Sequence, residues 1–336
     1  QMQSDTVKML CCLCLILHRS QAQVHKEITM TPQTIHLIGV PMDSGKRRRG
    51  CLMGPDAYRT AGLAEALRGL GHDVIDAGNV TPGDYDDTPH PHLHALSETI
   101  AWTSALSATS AQACATSLPI FMGGDHALAL GTVHGAAAHA AAAGRPLFVL
   151  WLDAHTDYHT PQSTDSGNLH GTPMGYLTGR DGFDGFPAVT HPIPHDRIAM
   201  LGLRSVDTEE RAALEQTDVT YIDMRHIDEH GIAKPLSAFL ARAARENAML
   251  HVSLDVDFLD PSVAPAVGTT VPGGATIREG HLVMEMICDS GLMTSLDLVE
   301  LNPFLDERGR TAQAMVDLTA SAFGRRVFDR PTRAYS

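Results

Sequence analysis

This chain lacks an excess of positive charge, a long apolar run, an internal repeat and a usable set of paired cysteines, and each absence closes off a class of function. Its 336 residues carry 25 Lys and Arg against 39 Asp and Glu, a formal net charge of -14, so no nucleic-acid footprint is expected. The one basic cluster, Lys46–Arg49, reads as a solvated loop. Gly39–Lys46 also fails as a phosphate-binding loop, because five residues separate Gly39 from Gly45 and Arg47 stands where Ser or Thr is required. The apolar run Met9–Leu17 is shorter than the ~20 residues that cross a bilayer and has no clear small-residue cleavage site, so no membrane association is expected. Of the six cysteines, Cys11, Cys12 and Cys14 crowd one segment while Cys51, Cys114 and Cys288 are scattered. That spacing is no disulfide framework, and a reducing, cytoplasmic home is expected.

What is present is an ordinary globular balance, 43% hydrophobic and 19% charged, with an acidic surface suited to a small cationic substrate. Met30 stands immediately before the first convincing strand. Residues 1–29 are therefore expected to be an extension outside the fold, disordered or foreign to the native protein, and residues 30–336 a single domain. Short β-rich runs then alternate with helical stretches: Thr34–Val40, His72–Ala77, Leu118–Met122, Leu147–Leu152, Arg197–Leu203, Val219–Asp223, Met249–Leu254 and Met293–Val299. Helical composition marks Pro55–Leu70, Leu93–Ser117, Leu128–Ala143 (closed by Gly144), Pro235–Asn247 and Arg278–Asp289. The alternation predicts an α/β fold, a mainly parallel sheet covered by helices on both faces.

In such sheets the functional crevice lies beyond the carboxyl ends of the strands, and the chemically loaded motifs fall there. Gly123-Gly124-Asp125-His126, Asp153 to Asp157, Leu203 to Asp207, Asp255 to Asp257 and Glu300 to Pro303 each follow a strand. In extended strands positions two apart converge, so Asp153, His155 and Asp157 share one side, as do Asp255 and Asp257, with Ala154, Thr156 and Val256 pointing the other way. Four carboxylates in one pocket repel unless protons or cations offset them, and divalent metal is the usual remedy. A set of carboxylates and imidazoles without thiolates suits a harder ion such as manganese rather than structural zinc. Turn or cap chemistry is the competing reading of either Asp-x-Asp pair alone. Both pairs together with His126 point to metal.

The motifs at 123–126 and 153–157, with Ser-Gly-Asn-Leu-His-Gly at 166–171, Ser-Leu-Asp-Val-Asp at 253–257 and Glu-Leu-Asn-Pro at 300–303, resemble the signatures of the ureohydrolases, specifically the arginase family. The resemblance runs from about Ile35 to Phe323. It implies a three-layer α/β/α fold with an eight-stranded sheet and two Mn2+ per subunit, which cleave a guanidinium into urea and an amine by a metal-bridging hydroxide. One manganese is then held by His126, Asp153, Asp157 and Asp255, and the other by His155, Asp153, Asp255 and Asp257. His170 matches the family's proton-shuttling histidine and Glu300 the carboxylate that pairs with the substrate guanidinium. Together with Asp157 these are the candidate catalytic residues.

Ser166 and Asn168 match positions that address the substrate's α-carboxylate, Asp207 and Glu210 those near its α-amino group, and Thr269 a hydroxyl near the reacting centre. His159 departs from the asparagine common in arginases. It still donates a hydrogen bond and is included among the substrate-binding candidates. The resemblance thus implies hydrolysis of L-arginine to L-ornithine and urea by a cytoplasmic homotrimer or homohexamer. The alternative is a related ureohydrolase acting on agmatine, on a guanidino acid such as guanidinobutyrate, or on formimidoylglutamate. A metal-dependent deacetylase on a related fold would use a single zinc, and a non-catalytic metal-binding protein would not need His170. His90, His92 and His94 read as a loop leading into a helix rather than a metal site, and Cys288 as core.

Overall fold

The structure is a computed structural model and describes residues 31–329. The expectations for residues 1–29, including Cys11, Cys12 and Cys14, lie outside the described residues. In chain order the elements are β1 (Thr34–Val40), α1 (Gly54–Thr60), α2 (Leu63–Arg68), β2 (Asp73–Asn79), α3 (Leu96–Cys114), β3 (Leu118–Gly123), α4 (Ala129–Ala142), β4 (Leu147–Leu152), α5 (Pro173–Leu177), β5 (Ile198–Leu203), α6 (Thr208–Leu214), β6 (Thr220–Asp223), α7 (Met224–His230), α8 (Ala233–Arg245), β7 (Met249–Asp255), α9 (Ile277–Ser290), β8 (Met293–Val299) and α10 (Arg310–Ala322). The strands form one sheet of order β2-β1-β3-β8-β7-β4-β5-β6, and every pairing is parallel.

Strand periodicity builds the three layers. Along β4, Phe148, Leu150 and Leu152 enter one core, while Leu147, Val149 and Trp151 enter the other. Phe148's core is closed by buried residues of α1, α2 and α7 to α10, such as Tyr58, Leu236 and Leu318. Trp151's core is closed by residues of α3 to α6, such as Trp102, Val133, Tyr176 and Leu214. Strands covered on both faces read as continuous apolar runs, which is why they stood out in the sequence. Each fully buried Leu or Phe contributes ~1.5–3 kcal/mol of transfer free energy, so the sheet is the rigid part from which the loops project.

One helix differs from expectation. Pro55–Leu70 is not continuous, because Gly62 sits at φ 84, a left-handed conformation that ends α1 and restarts the chain as α2. Composition favoured helix throughout, and the break is a backbone event that only glycine makes cheap. The helix closed by Gly144 (φ 64) forms as expected.

The sheet order brings the loaded strand ends together. β3, β8, β7, β4 and β5 are five consecutive strands, and their carboxyl ends carry His126, Glu300, Asp255, Asp153 and Arg204. After β7 the chain makes a long loop closed by Asp260, whose Oδ1 accepts from Ser262 N–H (2.9 Å) and Oδ2 from the N–H groups of Gly273 (2.7 Å) and Gly274 (3.1 Å). Hydrogen bonds to Ser262 and these glycines hold its carboxyl down at about 2. A lowered folded-state pKa gives stability that is present above the ordinary carboxylate range and lost as pH falls through about 2. Asp260→Asn is therefore expected to melt below the parent protein at pH 6, with the gap narrowing as pH is taken from about 4 toward 2. Thermal melts across that range check it, and a constant gap would remove the charge from the argument.

Candidate active site

Three of the strand ends turn in the same way. Asp125 Oδ1 accepts the N–H of Ala127 (3.0 Å), Asp153 Oδ1 that of His155 (2.6 Å) and Asp255 Oδ1 that of Asp257 (2.7 Å). An aspartate that bonds the amide two residues on makes a tight turn, so each strand stops abruptly and the next residues fold over the sheet's rim. This corrects the extended geometry expected for these segments. β4 ends at Leu152, Asp157 takes φ 48, and Val256–Phe258 is a 3-10 turn. The carboxylates converge through turns rather than strand alternation, with Ala154, Thr156 and Val256 buried between them in sequence.

One oxygen of Asp153 and of Asp255 is spent on the turn, and the other faces a common centre. His126 Nδ1 lies 3.0 Å from Asp153 Oδ2, 3.1 Å from Asp157 Oδ2 and 3.1 Å from Asp255 Oδ2. His155 Nδ1 lies 3.1 Å from Asp257 Oδ2 and 3.3 Å from Asp153 Oδ1. The His126 ring is stacked on Trp151 at 4.1 Å, and its Nε2 meets Ser253 Oγ at 2.8 Å. A ring held at Nε2 by a hydroxyl turns its Nδ1 lone pair inward, the usual support for a metal-binding imidazole. Ser253 was in a quoted motif, but its support of His126 is visible only in three dimensions.

The buried carboxylates of this cluster hold positive charge tightly, whether as protons or as a cation. Burial, reinforced by neighbouring carboxylates, pushes Asp255 and Asp257 above the usual range and Asp157 up to about 6. Burial disfavours a charged His155, yet Asp257 and Asp153 raise it to about 12. His126 Nδ1, Asp153 Oδ2 and Asp157 Oδ2 are buried without a hydrogen-bond partner despite their short separations. Their contacts have the distance of hydrogen bonds without the direction, as expected of lone pairs aimed at one point. Two groups of three donors, His126 with Asp153 and Asp157, and Asp153 with His155 and Asp257, each keep their ligand atoms within 4.8 Å. The residues therefore fit a pair of divalent ions sharing Asp153.

His126, Asp153, His155, Asp157 and Asp255 form the floor of a pocket of about 210 Å3, whose walls include His159, Ser166, Asn168, His170, Asp207, Glu210 and Thr269. The loop bearing Ser166 to His170 is pinned because Gly167, at φ 71, packs its Cα where a Cβ would lie 2.2 Å from the His92 carbonyl. His92 also bonds the Thr164 carbonyl (2.6 Å), so this histidine braces the loop. Thr269 Oγ1 donates to Asp257 Oδ2 (3.2 Å). At the mouth, His159 Nε2 lies 3.0 Å from Asp207 Oδ2, and its Nδ1 is 3.0 Å from Ser163 Oγ. Glu210 is more committed: it accepts from Tyr158 N–H (2.8 Å) and, in a capping box at the start of α6, from Asp207 N–H (3.3 Å). Ser205 and Thr164 also line the pocket and were not singled out from the sequence. Arg204 shapes it indirectly, with its guanidinium donating to the carbonyls of Gly202 (3.0 Å), Leu259 (3.3 Å) and Val271 (2.9 Å).

Glu300 lies behind this wall, 1% exposed. Its Oε1 accepts from His126 N–H (2.9 Å) and His170 Nδ1 (3.0 Å), while Oε2 is ion-paired with Lys46. Both oxygens are thus engaged inside the protein. Lys46 is itself only 2% exposed, which corrects its reading as part of a solvated loop; Arg47, Arg48 and Arg49 are exposed as expected. The charge run concealed one residue that turns inward.

Known proteins resemble this chain over most of its length. The model of the Arginase family matches residues 33–324. The arginase of Brucella melitensis is 59% identical over 302 residues, covering 89% of this chain and 99% of the relative. That of Agrobacterium fabrum is 54% identical over 306 residues, covering 90% and 94%. Among solved structures, the native arginase from Bacillus caldovelox superposes with a TM-score of 0.80 at 37% identity, over 88% of this chain and 99% of that one. Matched by the family model over residues 33–324, by arginases more than half identical and by a solved arginase of the same fold, the chain belongs to the arginase family.

Proposed function

We propose that this protein hydrolyses L-arginine to L-ornithine and urea at a site holding two Mn2+. His126, Asp153, Asp157 and Asp255 would hold one ion, and His155, Asp153, Asp255 and Asp257 the other. The observation that carries the reading is the pair of donor groups sharing Asp153, with buried lone pairs left unsatisfied, in a chain 59% identical to an arginase. Bound divalent ions supply Lewis acidity, which lowers the pKa of water and stabilises negative charge in the transition state.

The chain's own residues do the rest. His170 Nδ1 is held on Glu300, which leaves Nε2 as the ring nitrogen that exchanges a proton with the departing amine. Glu300 supplies negative charge behind the guanidinium end of the pocket, and its carboxylate is held ionised: burial opposes this, but Lys46 and His170 bring it well below the usual range. Thr269, bonded to Asp257, presents a hydroxyl beside the reacting centre. At the mouth Ser166, Asn168 and His159 address the α-carboxylate while Asp207 and Glu210 address the α-amino group, an arrangement that matches a zwitterionic tail. A single catalytic domain of residues 30–336, working in the cytoplasm as a homotrimer or homohexamer, completes the reading; its support is family membership and a single sheet that carries both cores. Among the described residues no helix is long and apolar enough to cross a membrane.

Urea release from arginine, agmatine and guanidinobutyrate, measured after chelation and again after manganese is restored, tests substrate and metal together. Activity is expected to be highest on arginine and to return only with the metal; equal turnover of agmatine would favour the alternative ureohydrolase reading. Asp257→Ala is expected to lower bound manganese from two ions per subunit toward one, with activity falling in parallel. Full activity at one ion would sink the dinuclear assignment. His159→Asn shortens the side chain that now reaches Asp207. It is expected to change the arginine-to-agmatine ratio of kcat/KM by about fivefold, the worth of one hydrogen bond of ~1 kcal/mol. An unaltered ratio would take His159 out of tail recognition.

A further inference from the structure

Lys46 is buried in a place where a lysine is costly unless paired, and its partner is the carboxylate that also holds His170. The segment that carries it is clamped onto the site on every side. Gly45 N–H donates to Asp125 Oδ2 (2.8 Å), just before His126, and the Gly45 carbonyl accepts His170 N–H (2.9 Å). Asp43 accepts the Gly50 N–H (2.7 Å), and Asn302 Nδ2 donates to the Arg49 carbonyl (3.0 Å). Glu300 itself has φ 67, a left-handed backbone that a non-glycine residue keeps only when its surroundings hold it. Its N–H is tied to the Gly124 carbonyl (2.8 Å), and its side chain is fixed by four donors: His126 N–H and His170 Nδ1 at Oε1, and Lys46 and the weak Cys51 thiol (3.8 Å) at Oε2, where Lys46 alone carries a full side-chain charge.

We infer that Lys46 is a positioning residue for the hydrolysis: by occupying Oε2 of Glu300 it fixes Oε1 on His170, and so sets the direction in which the His170 ring faces the pocket. Lys46 does not line that pocket, and it acts through Glu300 rather than on substrate. The inference rests on the proton role given to His170 above. Without the ammonium, Oε2 keeps only the weak Cys51 thiol donor (3.8 Å), and the Glu300 carboxylate rotates toward a stronger one. His170 then keeps its place in the chain but loses a defined ring orientation. The electrostatics agree. Burial would lower the Lys46 ammonium, but the Glu300 charge outweighs it and leaves the lysine firmly protonated.

The test uses the full-length, manganese-reconstituted protein carrying Lys46→Met, which keeps length and removes charge, and Lys46→Gln, which keeps an N–H donor. The expected result is a loss of kcat on arginine of about 10- to 100-fold in Lys46→Met and a smaller loss in Lys46→Gln, the scale of impairing a positioned acid or base. KM should change less than about threefold and bound manganese not at all, since the lost interaction belongs to turnover rather than binding. In a His170→Ala background, Lys46→Met should add less than about twofold, because both changes cut the same relay. Wild-type kcat in Lys46→Met, or the same loss with and without His170, would overturn the inference. Should Lys46→Met fail to fold or to bind manganese, Lys46→Gln in the two backgrounds decides by the same comparison. His170→Ala with undiminished turnover would instead remove the proton role of His170, a failure that the single variant tells apart.

Discussion

Two demands meet on the same aspartates. Asp153 and Asp255 each use one oxygen to close the turn that ends a strand and turn the other into the cluster around His126. The first role makes the backbone rigid, and the second concentrates negative charge where burial makes it expensive. Neither carboxylate is free to swing away from its neighbours, because doing so would break the turn. Charge crowding is therefore built into the backbone conformation, and a cation is the component that makes the arrangement favourable.

The sheet supplies the frame on which this works. Asp125, Asp153 and Asp255 close turns at β3, β4 and β7, and β8 lies between β3 and β7, so the glutamate after β8 is delivered directly beneath His126 and His170. The β1 end adds the Lys46 segment next to β3. From this packing follows a division of the site into depths. The floor of aspartates and His126 is almost sealed with His155 partly exposed beside it, the Lys46–Glu300 pair lies behind, and His159 with the exposed Asp207 stands at the solvent edge. Groups at the floor are held by turns and by stacking on Trp151, whereas the mouth is held by side-chain hydrogen bonds on loops. The floor is thus fixed by the rigid layer, and the mouth by loops that substitutions alter cheaply.

Residues whose role is local were legible in advance. The strands announced themselves as apolar runs, and the ligand set as carboxylates and imidazoles at strand ends. The turn reading and the metal reading of Asp-x-Asp do not exclude each other, since Asp153 and Asp255 close a turn with one oxygen and direct the other into the cluster around His126. Lys46 was grouped with Arg47 to Arg49 because charge runs are usually solvated, and nothing in four consecutive basic residues says which one points inward. Glu300 was placed at the guanidinium; its engagement by Lys46, His126 and His170 involves partners 130 to 254 residues away. Gly62 broke a helix that composition favoured, through a single dihedral angle.

By itself the sequence determined the fold class, the strand segments to within a few residues, the longer helices α3, α4, α8 and α9, and the identity of the groups that gather at the site, because periodicity and residue chemistry are local properties; it marked neither α5 to α7 nor α10. Only the tertiary structure decided that the five loaded strand ends are neighbours, which oxygen of each aspartate faces the centre, and that a lysine counterbalances Glu300. Sheet order, side-chain direction and ion pairing across 254 residues depend on how distant segments pack, and no local pattern records them.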